Sequence, residues 1–335
     1  MTDRVTRASG AGSPTSRLAL LRVRVTDRAV VLGYRLGWGV VRALPAGAAY
    51  RMFDLIADRA VARAGKGVQR LRANYALVRS DLDDTALDAL VREGMRSYLR
   101  YYCDSFRLPD LAPHVLRRSV RLVGAEPCRE VLEAGGSVVA FLGHLGNWDL
   151  AGAWSTTQLA PVTTVAERLK PAEVFDEFLD FRTSLGMNIL PLDGGAETFA
   201  GLRRAATQGQ FICLLADRDL SGGGVPVQLC GHLAKMAKGP AALALVTGAP
   251  LYAVSIHYEP NPAVPGSGQG VVCDFSARIE VPGSGTTAQK VAVMTQACAD
   301  HLGAAIRERT SDWHMLQRVF IPTGAPPAAD PPAGA

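Results

Sequence analysis

The chain has 335 residues, 48% of them hydrophobic and 20% charged, and carries a formal net charge of +5. That length and apolar content exclude a disordered or fibrous chain and provide for one large α/β domain or two small ones. The positive balance suits an anionic partner, whether a membrane surface, a phosphate-bearing substrate or a nucleic acid.

Residues 1–16, rich in Ser, Thr, Gly and Ala without periodicity, are expected to be a disordered tail. An apolar stretch follows from Ala29 to Leu44, crossed by Arg28, Arg35 and Arg42 at seven-residue intervals. A spanning helix needs about 20 mostly apolar residues, and the arginines interrupt this one. The interval places them near one stripe of a helix whose remainder carries Val31, Leu32, Tyr34, Trp38 and Val41. That pattern describes a helix lying in a membrane interface. An ordinary helix packed on the domain with its arginines in water would carry the same pattern. No A-x-A site follows a compact apolar core, so a cleaved signal peptide is not expected. A second basic helical region holds Arg51, Arg59, Arg63, Lys66, Arg70, Arg72 and Arg79. Asp81-Leu-Asp-Asp then opens a helix running through Leu87, Leu90, Val91, Met95, Tyr98 and Tyr101 toward Pro109.

From Ser119 the grammar changes. Short apolar runs predict strands over Val120–Val123, Ser137–Leu142, Val162–Ala166, Asn188–Leu192, Phe211–Ala216, Val225–Leu229, Leu251–Tyr258 and Val271–Ile279. Helical segments near 126–134, 147–159, 172–185 and 196–208 separate the early ones, another starts at about Gly239, and a last one spans roughly Thr287–Arg309. The fold class is therefore α/β, a mixed and mostly parallel central sheet flanked by helices. Residues 17–320 form one unit, with a helical, membrane-facing part over 17–110 and an α/β core over 118–320; residues 321–335 are a Pro/Ala tail expected to be disordered.

One stretch stands out, Val138-Val-Ala-Phe-Leu-Gly-His-Leu-Gly-Asn-Trp-Asp-Leu150, where a strand hands over to a helix capped by Asn147. In open α/β sheets such carboxyl-end turns are where ligands bind. His144 and Asp149 are five positions apart, and a turn at Gly146 would let Asp149 reach back to His144. The pair suits a general base: the carboxylate fixes the tautomer, and an imidazole titrates at about 6.5, near working pH. A capping Asp and a hydrogen-bonded structural His are the plain alternative. Glu167-Arg168 with Arg182, and Asp217-Arg218-Asp219, stand beside two further strand ends and would face the same crevice; alone, each is a solvated charged turn. Lys235 and Lys238 precede the Pro240 helix, whose amino end can hold an anion, or they form a solvated basic loop.

There is no G-x-S-x-G elbow and no P-loop, and the Gly/Ser runs at Gly266 and Gly283 lack a dinucleotide context. His114, His232, His257, His301 and His314 show no metal spacing, so no metal is expected. Cys103, Cys128, Cys213, Cys230, Cys273 and Cys298 form no C-x-x-C pair, which points to reduced thiols in a cytosolic setting. The basic residues lie among apolar helical faces without a nucleic-acid module, which disfavours a nucleic-acid role.

The ordered blocks Gly143-His-Leu-Gly-Asn-Trp-Asp149, Ala166-Glu-Arg-Leu-Lys-Pro171, Arg182 with Gly186, Asp217-Arg-Asp-Leu220, Gly239-Pro-Ala-Ala-Leu-Ala244 and Asp312-Trp-His-Met-Leu-Gln317 resemble the lysophospholipid acyltransferase superfamily. The likeness runs over about residues 20–320 and is nearest to the branch of bacterial lipid A late acyltransferases and actinobacterial phosphatidylinositol mannoside acyltransferases. It implies transfer of a long acyl chain, palmitoyl foremost, from acyl-CoA to a mannose hydroxyl of phosphatidylinositol mannosides. The enzyme would act peripherally on the cytoplasmic face of the cell membrane, with acyl-CoA as co-substrate and no cofactor. The resemblance makes His144 the base and Asp149 its orienting partner, and counts Asp217, shorter than the Glu of the mannoside enzymes at that place, as a third catalytic residue. It gives Glu167 and Arg182 to substrate polar groups or phosphate; Arg168 and Arg218 of the strand-end clusters, and Lys235 and Lys238 of the basic loop, are expected to bind substrate beside them. Two alternatives remain at this stage: another glycolipid acceptor such as a lipid A precursor, or a non-catalytic peripheral membrane protein.

Overall fold

The computed structural model describes residues 37–167, 172–192, 195–219 and 222–321. The expected tail 1–16, Arg28 and Arg35 of the arginine stripe, Arg168, and the tail 321–335 except Ile321 lie outside these residues.

Nine strands follow in chain order: β1 Val120–Val123, β2 Val138–Leu142, β3 Val162–Ala166, β4 Asn188–Pro191, β5 Phe211–Leu215, β6 Val225–Leu229, β7 His232–Met236, β8 Leu251–Pro260 and β9 Gln269–Phe275, counted among the described residues. Seven of them make one sheet in the order β1-β9-β8-β2-β5-β3-β4. Every pairing in it is parallel except β8 with β9. The expected mixed, mostly parallel α/β sheet is therefore what the chain forms.

Strand β2 lies at its centre, and all five residues, Val138 to Leu142, are buried. A strand covered on both faces reads as a continuous apolar run. Val139 and Phe141 enter one core with Leu71, Tyr75, Met95, Leu302 and Trp313. Val138, Ala140 and Leu142 enter the other with Trp154, Phe181 and Phe275. The first core thus joins the sheet to α2 (Lys66–Val78), α3 (Asp84–Arg107) and the long α10 (Thr287–Glu308). The second lies under α6 (Trp148–Gln158) and α7 (Ala172–Ser184). The helix starts are capped as their residues require: Asp83 accepts the Ala86 N–H, Asn147 the Leu150 N–H, and Thr286 forms a capping box with Gln289.

Several cations of the basic helical region carry acidic partners. Arg42 pairs with Asp110, Arg72 with Asp84 at 2.6 Å and Asp88 at 2.7 Å, and Arg79 with Asp81 at 2.7 Å. Such solvated pairs contribute little to stability. Among the described residues no helix is long and apolar enough to cross a membrane.

One hairpin was absent from the expected elements. β6 and β7 pair antiparallel, with Leu229 opposite His232 and Cys230-Gly231 as the turn. Lys235 accordingly lies within β7 rather than in a loop before the Pro240 helix, and that helix, α9, spans Gly239–Thr247.

Candidate active site

The parallel register of the two central strands builds the site. Leu142 of β2 lies opposite Leu215 of β5. Two residues beyond those ends come His144 and Asp217, and the pairing persists into the loops: the Ala216 N–H donates to the Leu142 carbonyl at 2.8 Å. Asp217 Oδ1 then meets His144 Nδ1 at 2.5 Å, and Oδ2 accepts the His144 backbone N–H at 2.9 Å. The indole N–H of Trp313 donates to the same Oδ2 at 3.1 Å. Burial by itself would raise this fully buried carboxyl, but the charge of the His144 ring and three hydrogen bonds, two from His144 and one from Trp313, hold it below the usual carboxylate range. Since a carboxylate only accepts, Nδ1 of His144 is the donor, and in the neutral ring the lone pair lies on Nε2.

The loop carrying His144 is fixed from the far end of the chain. Gly146 donates its N–H to the Asp312 carbonyl at 2.9 Å, His314 donates its N–H to the His144 carbonyl at 2.8 Å, and Leu145 forms a bridge with Trp313. Gly146 has φ +55, and a Cβ there would lie 2.7 Å from the Ile256 carbonyl oxygen. Only glycine meets both conditions.

The expected pairing of His144 with Asp149 does not form. Asp149, 2% exposed in the first turn of α6, takes Arg182 Nε at 2.8 Å and Nη2 at 3.3 Å, and accepts the Tyr101 hydroxyl at 2.6 Å. A carboxylate this buried needs a cation, and Arg182 at the end of α7 provides it. Burial alone would weaken the guanidinium, but Asp149 keeps it firmly charged, and burial drives the Tyr101 phenol far above its ordinary value. Arg182 is thereby engaged with Asp149, while His144 turns to the neighbouring strand.

A cleft of about 670 Å³ opens from this dyad. His144, Trp148, Arg182 and His314 line it together with apolar side chains that include Phe178, Phe199, Leu202 and Met315. The volume is in the range of small-molecule and lipid sites. Glu167, Arg218 and Lys238 border the same cleft, and Arg218 reaches both Glu167, at 3.2 Å, and Gln317. Lys235 is not among the lining residues. Among the described residues no group of three His, Cys, Asp or Glu side chains is arranged to hold a metal ion.

Four residues with functional geometry have no expected role in the sequence reading: Trp313 on Asp217, Tyr101 on Asp149, and the rings of Trp148 and His314. The indole of Trp148 lies between His144, at 5.5 Å, and His314, at 6.1 Å between ring centroids. Among the described residues its buried N–H has no hydrogen-bond partner, and neither has Nδ1 of His314. Trp313 and His314 stood in the sequence within a family-like block, but Asp217 is 96 residues from Trp313 along the chain and His144 lies still further from His314, where spacing carries no signal.

Comparison with known proteins gives a consistent picture. A family model described as bacterial lipid A biosynthesis acyltransferase matches residues 20–321. A phosphatidylinositol mannoside acyltransferase of Mycolicibacterium smegmatis is 39% identical over 299 residues, covering 89% of this chain and 92% of that protein. A protein of the same name from Mycobacterium tuberculosis is 38% identical over 303 residues, covering 90% of this chain and 91% of its own length.

Proposed function

Because this chain belongs to the bacterial lipid A biosynthesis acyltransferase family, we propose that it moves a long fatty acyl chain, palmitoyl by preference, from acyl-CoA to a mannose hydroxyl of a phosphatidylinositol mannoside. The observation that carries the chemistry is the His144–Asp217 dyad, whose imidazole lines a largely apolar cleft. The acceptor rests on the names of the two mycobacterial relatives.

His144 Nε2 takes the proton of the sugar hydroxyl as that oxygen attacks the thioester carbonyl. Asp217 holds the imidazolium so formed without taking its proton. The carbonyl oxygen becomes an oxyanion in the tetrahedral intermediate, and the indole N–H of Trp148, whose ring packs edge-on against His144, is a candidate donor. A well-placed donor of this kind is worth about 3 kcal/mol in other enzymes. Collapse breaks the carbon–sulfur bond, CoA leaves as the thiolate, and the imidazolium proton passes to it. No bond to the protein forms at any stage. The apolar side chains of the cleft take the acyl chain, while Arg218 and Lys238 at its border suit phosphate groups.

Peripheral attachment to the cytoplasmic membrane face fits the exposed Val40, Leu55 and Ile56 alongside Arg51, Arg59 and Arg63. A second acceptor, a lipid A precursor, is favoured by the description of the family itself. Mass spectrometry of products from palmitoyl-CoA with a panel of purified glycolipids separates the two. Palmitoylated mannoside from the native chain, absent with His144→Ala, is the expected outcome. Equal transfer by that variant removes the mechanism, and a product only from lipid A precursor replaces the acceptor.

A further inference from the structure

A second imidazole in the cleft is held in one defined tautomer by a buried chain of hydrogen bonds. Asp312 Oδ2 accepts the Tyr258 N–H at 2.8 Å, and its Oδ1 accepts the Ser97 hydroxyl at 2.7 Å. Ser97 Oγ in turn lies 3.0 Å from His314 Nε2. A hydroxyl has one hydrogen, and this one goes to the carboxylate, so Oγ is left to accept from the ring. Nε2 of His314 therefore carries the proton. Burial, and secondarily the nearby His144, push this ring down to about 3, so it holds that single proton and no second one. Nδ1 is left as a bare lone pair.

That lone pair is buried and has no partner among the described residues, on a ring 5% exposed that lines the reaction cleft. A buried acceptor without a donor is costly, and native structures retain few of them. The position is also specific. The backbone N–H of His314 binds the His144 carbonyl at 2.8 Å, and both rings pack on the Trp148 indole. Two imidazoles thus line one cleft; Nε2 of His144 in its neutral form, and Nδ1 of His314, are the nitrogens without a proton. The attacking hydroxyl occupies only the first. A polyol acceptor brings further hydroxyl donors with it, and a thioester brings none.

We propose that Nδ1 of His314 accepts a hydrogen bond from a second hydroxyl of the acceptor sugar, adjacent to the one that His144 deprotonates, and thereby selects a polyol in one orientation. This deepens the acyltransfer reading and rests on it for its kinetic consequence. Ser97 and Asp312 are positioning residues, acting through the tautomer they impose.

Two measurements on the full-length protein test it. In the first, the native chain and His314→Phe are assayed with a mannoside acceptor and with its analogue lacking the hydroxyl beside the acylated one. One neutral hydrogen bond corresponds to roughly tenfold in kcat/KM. The native chain is expected to discriminate by about that factor and His314→Phe by less than twofold; full discrimination by the variant overturns the proposal. The second needs no acyl transfer and no variant: nitrogen chemical shifts of the labelled histidines report the His314 tautomer, with methyl mannoside as the titrant. A proton on Nε2 and a movement of the Nδ1 resonance on titration are expected. A proton on Nδ1, or an unmoved resonance at saturation, defeats the inference whatever the enzyme's acceptor proves to be. A chain with no transfer to any glycolipid but a moving Nδ1 resonance keeps this site and refutes the proposed function instead.

Discussion

Asp217 grips His144 at two points, its ring at 2.5 Å through Oδ1 and its backbone N–H at 2.9 Å through Oδ2. One carboxylate therefore sets both the place of the loop and the tautomer of the ring. Asp217→Asn keeps the volume but offers an amide where an acceptor of charge-assisted hydrogen bonds was. The corresponding change in a serine protease lowers kcat about 10⁴-fold through the wrong tautomer. Here kcat is expected to fall at least about 100-fold with little change in KM for the acyl donor. Steady-state kinetics check it, and a variant within threefold of the native kcat removes Asp217 from the dyad.

Asp149 and Arg182 predict a different phenotype, in stability. Their side chains are 2% and 17% exposed. Replacing Arg182 by Met leaves the carboxylate buried with only the Tyr101 hydroxyl for company. Losing one member of a buried pair costs about 3–5 kcal/mol, whereas replacing both by apolar groups of similar volume is often near neutral. Urea unfolding should show that loss for Arg182→Met and recovery of most of it in Arg182→Met/Asp149→Leu. A single variant within about 1 kcal/mol of the native chain would show the pair to be unimportant to folding.

How much of this was legible in the sequence depends on how local each signal is. The runs Val138–Leu142 and Phe211–Leu215 are apolar throughout, so buried parallel strands could be read from each alone. The β7 hairpin escaped because its turn is Cys230-Gly231, with φ +53 and +84. Two positive φ values define the tight turn that Asn-Gly or Asp-Gly ordinarily announces, and cysteine in the first place hides it. His144 was recognisable from its place at a strand end. Its partner was misassigned to Asp149 because that residue is near in the chain, while the actual one is set by the register of β2 on β5. Register across a sheet is fixed by tertiary packing, not by spacing. The same reason concealed Trp313 and His314.

Gly146 should tolerate no side chain. Its φ of +55 is unfavourable for an L-residue, and the nearest atoms to an added Cβ belong to the β8 backbone, which has no room to move. The strain amounts to about 1–3 kcal/mol and falls on the loop carrying His144. Gly146→Ala is expected to lower the unfolding temperature and cut kcat more than tenfold. Gly47→Ala, in α1 (Ala46–Arg63) with nothing within 4 Å of its Cβ position, is the control and should leave both in place. Equal behaviour of the two variants would contradict the loop geometry.

His314 makes stability depend on pH in a calculable direction. Its folded value is pushed to about 3 from an ordinary 6.5, chiefly by burial. Between those values the unfolded chain binds a proton that the folded ring refuses, so stability increases with pH there. The contribution is complete above about 6.5 and is lost, at about 1.4 kcal/mol per pH unit, as the medium is acidified. His257, also lowered by burial, acts in the same sense, while the buried Asp104 and Asp312, raised by burial, act in the opposite one. A difference measurement removes those shared effects. Unfolding free energies of the native chain and His314→Gln are compared at pH 7 and pH 5.5; the native advantage should shrink by about 1.4 kcal/mol over that interval. An advantage independent of pH would mean that the ring charges as freely in the folded protein as outside it, which its burial against Tyr98, Tyr101 and Trp148 forbids.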